Sequence, residues 1–114
     1  MTYSFSLGIG LAIANFLLKA HEKHNLVILG RDEEALHEIE SRAPSQVKAL
    51  AGDLSNFALG RAAVDLALSA FGRVDGLVIN HGTLGEVKRI ADCDPVGFQK
   101  TFDINFISAV ACVS

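Results

Sequence analysis

The sequence predicts an α/β fold with a parallel β-sheet, and three observations support this class. Short apolar stretches that suit buried strands alternate with helical segments of roughly ten to fifteen residues. Half of the 114 residues are hydrophobic and 20% are charged, as expected of a packed core. A Gly-x-Gly turn, Gly8-Ile9-Gly10, stands at the start of the first helix. A chain of this length forms at most one ordinary domain, so we expect a single domain over residues 1–114.

The first half of the chain contains three predicted strands, the first of them weak or absent, and two predicted helices. Residues 1–7 alternate polar and apolar side chains and could form a short, makeshift first strand. A helix packed on several sides follows over residues 9–20. The run 25–29 is apolar without polar alternation, which is typical of a strand buried on both faces. A helix over 33–42 begins with acidic residues and ends before Pro44, and a strand covers 47–51.

The second half repeats the pattern. Leu59, Ala63, Leu66 and Ala70 form one apolar stripe of a helix predicted over 56–71, which ends at Gly72. The apolar run 74–80 predicts a buried strand, and 83–93 is a polar loop. The last helix has Asp94 as N-cap and Pro95 in its first turn, and it continues to the end of the chain without a stop signal.

Composition excludes several classes of function. The formal net charge of −3 offers no basic face for nucleic acid. No apolar run approaches the ~20 residues of a membrane span, and residues 1–6 lack the Lys or Arg of a secretion signal. Cys93 and Cys112 have no metal-ligand or disulfide spacing, so we expect buried, inert thiols and no metal. A cytoplasmic protein that contacts neither membrane nor nucleic acid is the working prediction.

The glycine turn suits phosphate binding. A Gly-x-Gly lets the backbone approach a pyrophosphate at a helix N-terminus, where free N–H groups and the helix dipole favour anions. Together with the strand pattern it indicates a Rossmann-type doubly wound sheet. A flavodoxin-like or receiver-like sheet would share the periodicity, but it would need neither this turn nor Asn80-His81-Gly82.

Two charged residues after successive strands could contact a dinucleotide. Arg31 follows the strand at 25–29, where an acid would bind a free ribose hydroxyl and an arginine can bind a 2′-phosphate. This favours NADP over NAD, although the neighbouring Asp32 argues in the other direction. Asp53 follows the next strand, where it could accept a hydrogen bond from adenine or cap the helix that follows.

Asn80 lies at the end of the fourth predicted strand, at the edge where cofactors bind in open α/β sheets. It could instead only form a turn with Gly82. His81 lies between them, and a lone histidine in a turn predicts neutral scaffolding rather than a general base.

Five motifs in this order resemble the N-terminal part of short-chain dehydrogenases/reductases, from about Gly8 to Ser114. They are Gly8-Ile9-Gly10, Leu29-Gly30-Arg31, Gly52-Asp53-Leu54, Asn80-His81-Gly82 and Asp103-Ile104-Asn105. The resemblance implies that Gly8, Ile9 and Gly10 lie against the pyrophosphate of NADP and that Arg31 binds its 2′-phosphate. It implies that Asp53 and Leu54 border the adenine and that Asn80 and Gly82 flank the cofactor. Asn105 matches the helix asparagine that holds a water in the family's proton relay.

The sequence also departs from the family. Tyr3 and Ser4 stand where the family turn has Thr and Gly, and few residues remain for strand 1. In the Rossmann order strand 1 is central, so its loss would leave its neighbours without backbone partners. The family's Tyr-x-x-x-Lys pair and catalytic Ser are absent, since the single tyrosine, Tyr3, is followed four residues later by Leu7.

We therefore expect an incomplete Rossmann-type sheet that lacks strand 5 onward. The favoured function is that of a truncated NADP-dependent oxidoreductase without hydride-transfer activity. The alternative is a non-catalytic nucleotide-binding or protein-interaction module that self-associates through exposed sheet edges.

Overall fold

The fold is a four-stranded parallel sheet with helices on both faces. The computed structural model describes residues 8–114 and the backbone of residues 2–4. The strands are β1 (Thr2–Ser4), β2 (Leu26–Gly30), β3 (Val47–Ala51) and β4 (Leu77–Val78). Their order in the sheet is β3-β2-β1-β4, and every pair is parallel. The predicted α/β class and the Rossmann-type arrangement are thus confirmed.

The helices alternate with the strands along the chain. They are α1 (Ile9–Lys19), α2 (Glu33–Arg42), α3 (Ala58–Phe71), α4 (Pro95–Phe102) and α5 (Ser108–Val113). A π-helical turn, Asp103–Ile107, joins α4 to α5, and a 3-10 turn covers Ile90–Asp92. The bounds of α2 and β3 are those that the sequence predicts. Within the described residues no helix is long and apolar enough to cross a membrane.

The sequence leaves open whether the first strand is weak or absent. In the structure this strand is short but present. Thr2, Tyr3 and Ser4 pair with Val27, Ile28 and Leu29 of β2. On the other side, Thr2 and Tyr3 pair with Leu77 and Val78 of β4. Three residues therefore supply the central strand and give both neighbours a backbone partner. The contribution of Phe5 and Leu7 to this strand lies outside the described residues.

The core consists of two layers separated by β2, whose five residues are all buried. Leu26 and Ile28 face one side, where they pack with Ala14 of α1, with Leu36 and Ile39 of α2 and with Val47 of β3. Val27 and Leu29 face the other side and pack against Leu54 and α3. This alternation confirms the predicted strand buried on both faces, although the strand covers Leu26–Gly30 rather than residues 25–29 and Asn25 is exposed. Because β2 is packed on both faces, its carboxyl end has a fixed position at the edge of the sheet.

The fourth strand is shorter and more exposed than predicted. The apolar run 74–80 predicts a buried strand, but only Leu77 and Val78 pair with a neighbour. Among the described residues their partner strand is β1, through Thr2 and Tyr3. Leu77 and Ile79 are 38% and 39% exposed. The apolar run therefore predicts the place of this strand but not its length.

The last helical segment is continuous but not uniform. The side chain of Asp94 accepts a hydrogen bond from Gly97 N at 2.8 Å and Pro95 follows it, so the predicted cap is confirmed. The π-helical turn in its middle is not predicted by the sequence. Along α4, this turn and α5 many apolar side chains remain exposed: Val96, Phe98, Phe102, Phe106, Val110 and Val113. This agrees with the expected exposure of apolar surface on the last helix.

Candidate functional site

The sequence-predicted site residues gather at the carboxyl edge of the sheet. Gly30 and Ala51 are paired at the ends of β2 and β3, and Gly52 N donates to Gly30 O at 2.9 Å. Arg31 comes directly after β2, and Asp53 comes after β3 and Gly52. The two residues therefore lie at the ends of neighbouring strands. Asn80 and Gly82 follow β4 at the same edge. Parallel strands bring these residues together although they are far apart in sequence.

The glycine turn leaves the start of α1 without a side-chain cap. Gly8 has φ of 108° and ψ of −115°, a conformation that only glycine adopts without strain. Among the described residues a Cβ on Gly8 would meet nothing within 4 Å, so they leave the space above the turn open. Gly10 is buried against the sheet, and the side chain of Ile9 is exposed. The first turn of α1 contains no acidic residue, so its backbone N–H groups suit an anion.

Arg31 is an exposed cation without an ion pair among the described residues. The neighbouring Asp32 does not bind it. Instead, Asp32 is the N-cap of α2, and its Oδ1 accepts a hydrogen bond from Ala35 N at 3.1 Å. The carboxylate of Asp32, which in the sequence speaks for NAD rather than NADP, is therefore engaged in helix capping. The guanidinium of Arg31 is therefore the charged group that remains available at the end of β2.

Asp53 and Leu54 lie at the end of β3, and both have structural contacts. Asp53 Oδ1 accepts a hydrogen bond from Ser55 N at 2.9 Å, and hydrogen bonds from Ser55 hold the pKa of Asp53 below its ordinary value. Asp53 does not cap α3, because that helix begins at Ala58, whose N–H donates to Asn56 Oδ1 at 3.2 Å. The side chain of Leu54 is buried in the core with α3, so its backbone is what faces the edge.

His81 links the end of β4 to the last helix. Its Nε2 lies 2.6 Å from the Oγ of Ser108, a residue that is 2% exposed. Ser108 Oγ in turn donates to the Ile104 carbonyl, one turn earlier in the helix. A hydroxyl has one proton, so Nε2–H donates to Ser108 and Nδ1 keeps a lone pair. That Nδ1 is buried and has no hydrogen-bond partner among the described residues.

Burial lowers the pKa of His81, an effect that a hydrogen bond to Ile104 opposes in part. Protonation would place an N–H at Nδ1, where no acceptor lies among the described residues. The imidazole is thus held neutral. This supports the interpretation of His81 as neutral scaffolding rather than as a catalytic base.

The free energy of unfolding is expected to fall as the pH drops below about 6.5, the ordinary value for histidine. Because the pKa of His81 is lower in the folded chain, the unfolded chain binds the proton first, and the loss levels off below the folded pKa. In His81→Gln this part of the pH dependence should disappear in urea unfolding at pH 5, 6 and 7. The exposed His37→Gln is the matched control. A slope that His81→Gln leaves unchanged would contradict the assignment.

Asn105 holds the loop after β4 against the π-helical turn. Its Nδ2 donates to Thr83 O at 2.8 Å and its Oδ1 accepts from Thr83 N at 2.7 Å. The amide thus satisfies both backbone groups of one residue. A Cβ on Gly82 would lie 3.3 Å from Asn105 Oδ1, so the close approach favours glycine there. The structure gives Asn105 a positioning role, and the family's proton-relay role stays a prediction.

Asn105→Leu is expected to destabilise the chain by about 1 kcal/mol, because both hydrogen bonds with Thr83 disappear at a partly solvated site. The amide of Thr83 should then exchange its hydrogen faster. Urea unfolding and hydrogen exchange followed by NMR measure the two effects. Gln99→Leu, on the exposed part of α4, is the control. Unchanged exchange at Thr83 would show that the two hydrogen bonds do not hold the loop.

A cavity of about 550 Å³ opens between the loop after β4 and α4. This volume is in the range of small-molecule sites. Arg31 borders the cavity on the side of β2, and Lys100 and Thr101 border it on the side of α4. Sequence reasoning did not identify Lys100 or Thr83, since nothing in the local pattern around either residue marks it.

The cysteines and acids of the described residues form no metal site. No group of three His, Cys, Asp or Glu side chains in this part of the chain is placed to hold a metal ion. Cys93 and Cys112 are free thiols and are half-buried rather than fully buried as predicted, because the helix that carries Cys112 has one open face. Burial raises the pKa of Cys112, which suits an inert thiol.

Comparison with known proteins extends over almost the whole chain. The family model of the short chain dehydrogenases matches residues 4–114. An uncharacterised oxidoreductase of Schizosaccharomyces pombe is 34% identical over 109 residues, which are 95% of this chain and 42% of that protein. An 11-beta-hydroxysteroid dehydrogenase of Sesamum indicum is 34% identical over 86 residues, or 71% of this chain and 24% of that protein. The chain thus spans less than half of these relatives.

Solved structures show the same likeness. A short chain dehydrogenase/reductase from Saccharomyces cerevisiae superposes with a TM-score of 0.90 at 25% identity, covering 98% of this chain and 45% of that one. An L-sorbose reductase from Gluconobacter frateurii, solved with NADPH and L-sorbose, has a TM-score of 0.78 at 26% identity. The superposition covers 98% of this chain and 44% of the reductase.

Proposed function

The chain belongs to the short-chain dehydrogenase/reductase family, and we propose that the carboxyl edge of its sheet binds NADP(H). Arg31 would bind the 2′-phosphate, and Gly8, Ile9 and Gly10 would lie against the pyrophosphate. Asp53 and the backbone of Leu54 would border the adenine, with Asn80 and Gly82 beside the nicotinamide half. When bound, this cofactor supplies or accepts a hydride.

The choice of NADP over NAD rests on the contacts of Arg31 and Asp32. Arg31 has no ion pair among the described residues, whereas the carboxylate of Asp32 caps α2. A guanidinium matches the geometry of a phosphate, and the acid next to it uses one carboxylate oxygen to cap α2. The NADPH-bound L-sorbose reductase that resembles this chain supports the same cofactor.

The residues at the carboxyl edge of the sheet fit NADP(H). Gly8 leaves open space above an uncapped helix start, which suits a pyrophosphate. Asn105 and Gly82 hold the loop after β4 in place, so Asn80 and Thr83 have fixed positions beside the site. The edge therefore supplies anion-binding backbone, a cation and a positioned loop, the parts that dinucleotide binding requires.

We further propose that these 114 residues do not transfer hydride by themselves. Tyr3 is the single tyrosine of the chain and Leu7 is four residues after it, so the Tyr-x-x-x-Lys pair of the family is not in this sequence. That pair is the acid/base group that exchanges a proton with the substrate. Asn105 is the one member of the family's relay that we assign. A cytoplasmic protein of Saccharomyces cerevisiae with a TM-score of 0.85 supports a cytoplasmic location.

The test is a titration of the purified chain with NADPH and with NADH, followed by nicotinamide fluorescence. We expect saturable binding with a Kd for NADPH at least tenfold below that for NADH. Equal affinities would contradict the selection of NADP, and no binding of either cofactor would contradict the site. Consumption of NADPH in the presence of a carbonyl substrate would contradict the proposed lack of catalysis.

A further inference from the structure

A further cation, on α4, lines the cavity beside Arg31. Lys100, on α4, lines the same space of about 550 Å³ as Arg31. Both side chains are exposed, and neither makes an ion pair within the described part of the chain. Both also act electrostatically on one carboxylate, that of Asp53. Two cations that are far apart in sequence therefore converge on one edge of the cavity.

The other charges of the cavity are already paired or engaged. Lys88 forms an ion pair with Glu86. Asp94 caps α4 through its hydrogen bond with Gly97. Arg31 and Lys100 thus remain as the two lining cations without a counter-ion within 4 Å among the described residues. Asp53 is the carboxylate on which both cations act, and neither cation forms an ion pair with it within the described residues.

The position of Lys100 on α4 is fixed by contacts of the neighbouring turn. A Cβ on Gly85 would lie 2.6 Å from Thr101 Oγ1, so the loop after β4 packs directly on the turn that carries Lys100. Asn105 holds Thr83 of the same loop through two hydrogen bonds. The backbone beneath Lys100 is thereby held to the edge of the sheet.

From this arrangement we infer that Lys100 is a second determinant of NADP specificity, which binds the 2′-phosphate together with Arg31. The inference rests on the proposed NADP(H) site and adds a residue that the matched motifs do not contain. A phosphate with two negative charges suits two flanking cations better than one. Lysine acts here as a mobile point charge, while the planar guanidinium of Arg31 provides the oriented contacts.

The test compares Kd values for NADPH and NADH in Lys100→Gln and Lys88→Gln. Lys88 borders the same cavity but is paired with Glu86, so Lys88→Gln is the matched control. In Lys100→Gln we expect the Kd for NADPH to rise about threefold to fivefold, as for an exposed ion pair. The Kd for NADH should stay within twofold in both variants. Melting temperatures verify that each variant is folded.

The outcomes separate this inference from the function on which it rests. If the unmodified chain prefers NADPH and Lys100→Gln keeps that preference within twofold, the role of Lys100 is wrong while the proposed function stands. A loss of NADPH affinity equal to that of Lys88→Gln would also overturn it, since the effect would then be non-specific. If the unmodified chain shows no preference for NADPH, both the proposed function and this inference are wrong.

Discussion

Replacing Arg31 with alanine is expected to weaken NADPH binding about 10- to 100-fold and to leave NADH binding within twofold of its original value. A hydrogen bond to a charged group contributes about 1.5–3 kcal/mol, and only NADPH has the 2′-phosphate that can accept it. The structure favours this selectivity because Arg31 is exposed and Asp32 is engaged in capping α2. Fluorescence titration or calorimetry with both cofactors measures the two affinities.

The control for this change is Arg61→Ala. Arg61 lies on α3, where it is exposed and paired with Asp65 at 3.2 Å. Its removal changes the net charge by the same amount as the removal of Arg31, so it reports any general effect of charge on cofactor binding. Equal losses of affinity for NADPH and NADH in Arg31→Ala would contradict a contact with the 2′-phosphate.

Ile28→Ala is expected to produce the largest loss of stability, about 2–5 kcal/mol. Ile28 is fully buried at the centre of β2, where it packs between the sheet and helices α1 and α2. Truncation removes buried methyl groups and leaves a cavity that the surrounding elements cannot fill. A native domain is stable by only about 5–15 kcal/mol, so the variant should be close to unfolding at room temperature.

Urea unfolding followed by circular dichroism measures this loss, and Val87→Ala is the control. Val87 is 87% exposed in the loop after β4, so its truncation should change the free energy of unfolding by less than about 0.5 kcal/mol. If Ile28→Ala unfolds at the same urea concentration as the control, β2 is not the centre of the core.

Helix ends and buried strands are predicted well by the sequence because their causes are local. Asp94 caps α4, as its position before Pro95 and an apolar helical pattern indicates. The unbroken apolar run of β2 predicts a strand covered on both faces, and the two core layers confirm this prediction. Each of these features depends on a few adjacent residues.

The extent of β4 and the π-helical turn depend on distant partners, so the sequence does not predict them. The two residues of β4 pair with Thr2 and Tyr3, which lie far earlier in the chain. The π-helical turn is held by contacts of Asn105 with Thr83 and of Ser108 with His81, which join residues far apart in the chain.

The same distinction applies to the candidate site. Arg31 and the glycine turn are predictable, since each follows a recognisable strand or begins a helix. Lys100 is not, because it reaches the site only through the placement of α4 against the loop after β4. The neutral state of His81 agrees with the sequence prediction, but its partner Ser108 becomes evident only in the fold.

The central claim is that the carboxyl edge of this sheet binds NADP(H), and amide chemical shifts test it most directly. NADP⁺ is added to the 15N-labelled chain, and the perturbed amides are mapped. We predict the largest shifts at the start of α1 from Gly8, at Arg31, at Asp53 and Leu54, and from Asn80 to Gly82. Shifts confined to the exposed apolar side of α4 and α5, or no shifts at saturating NADP⁺, would contradict the claim.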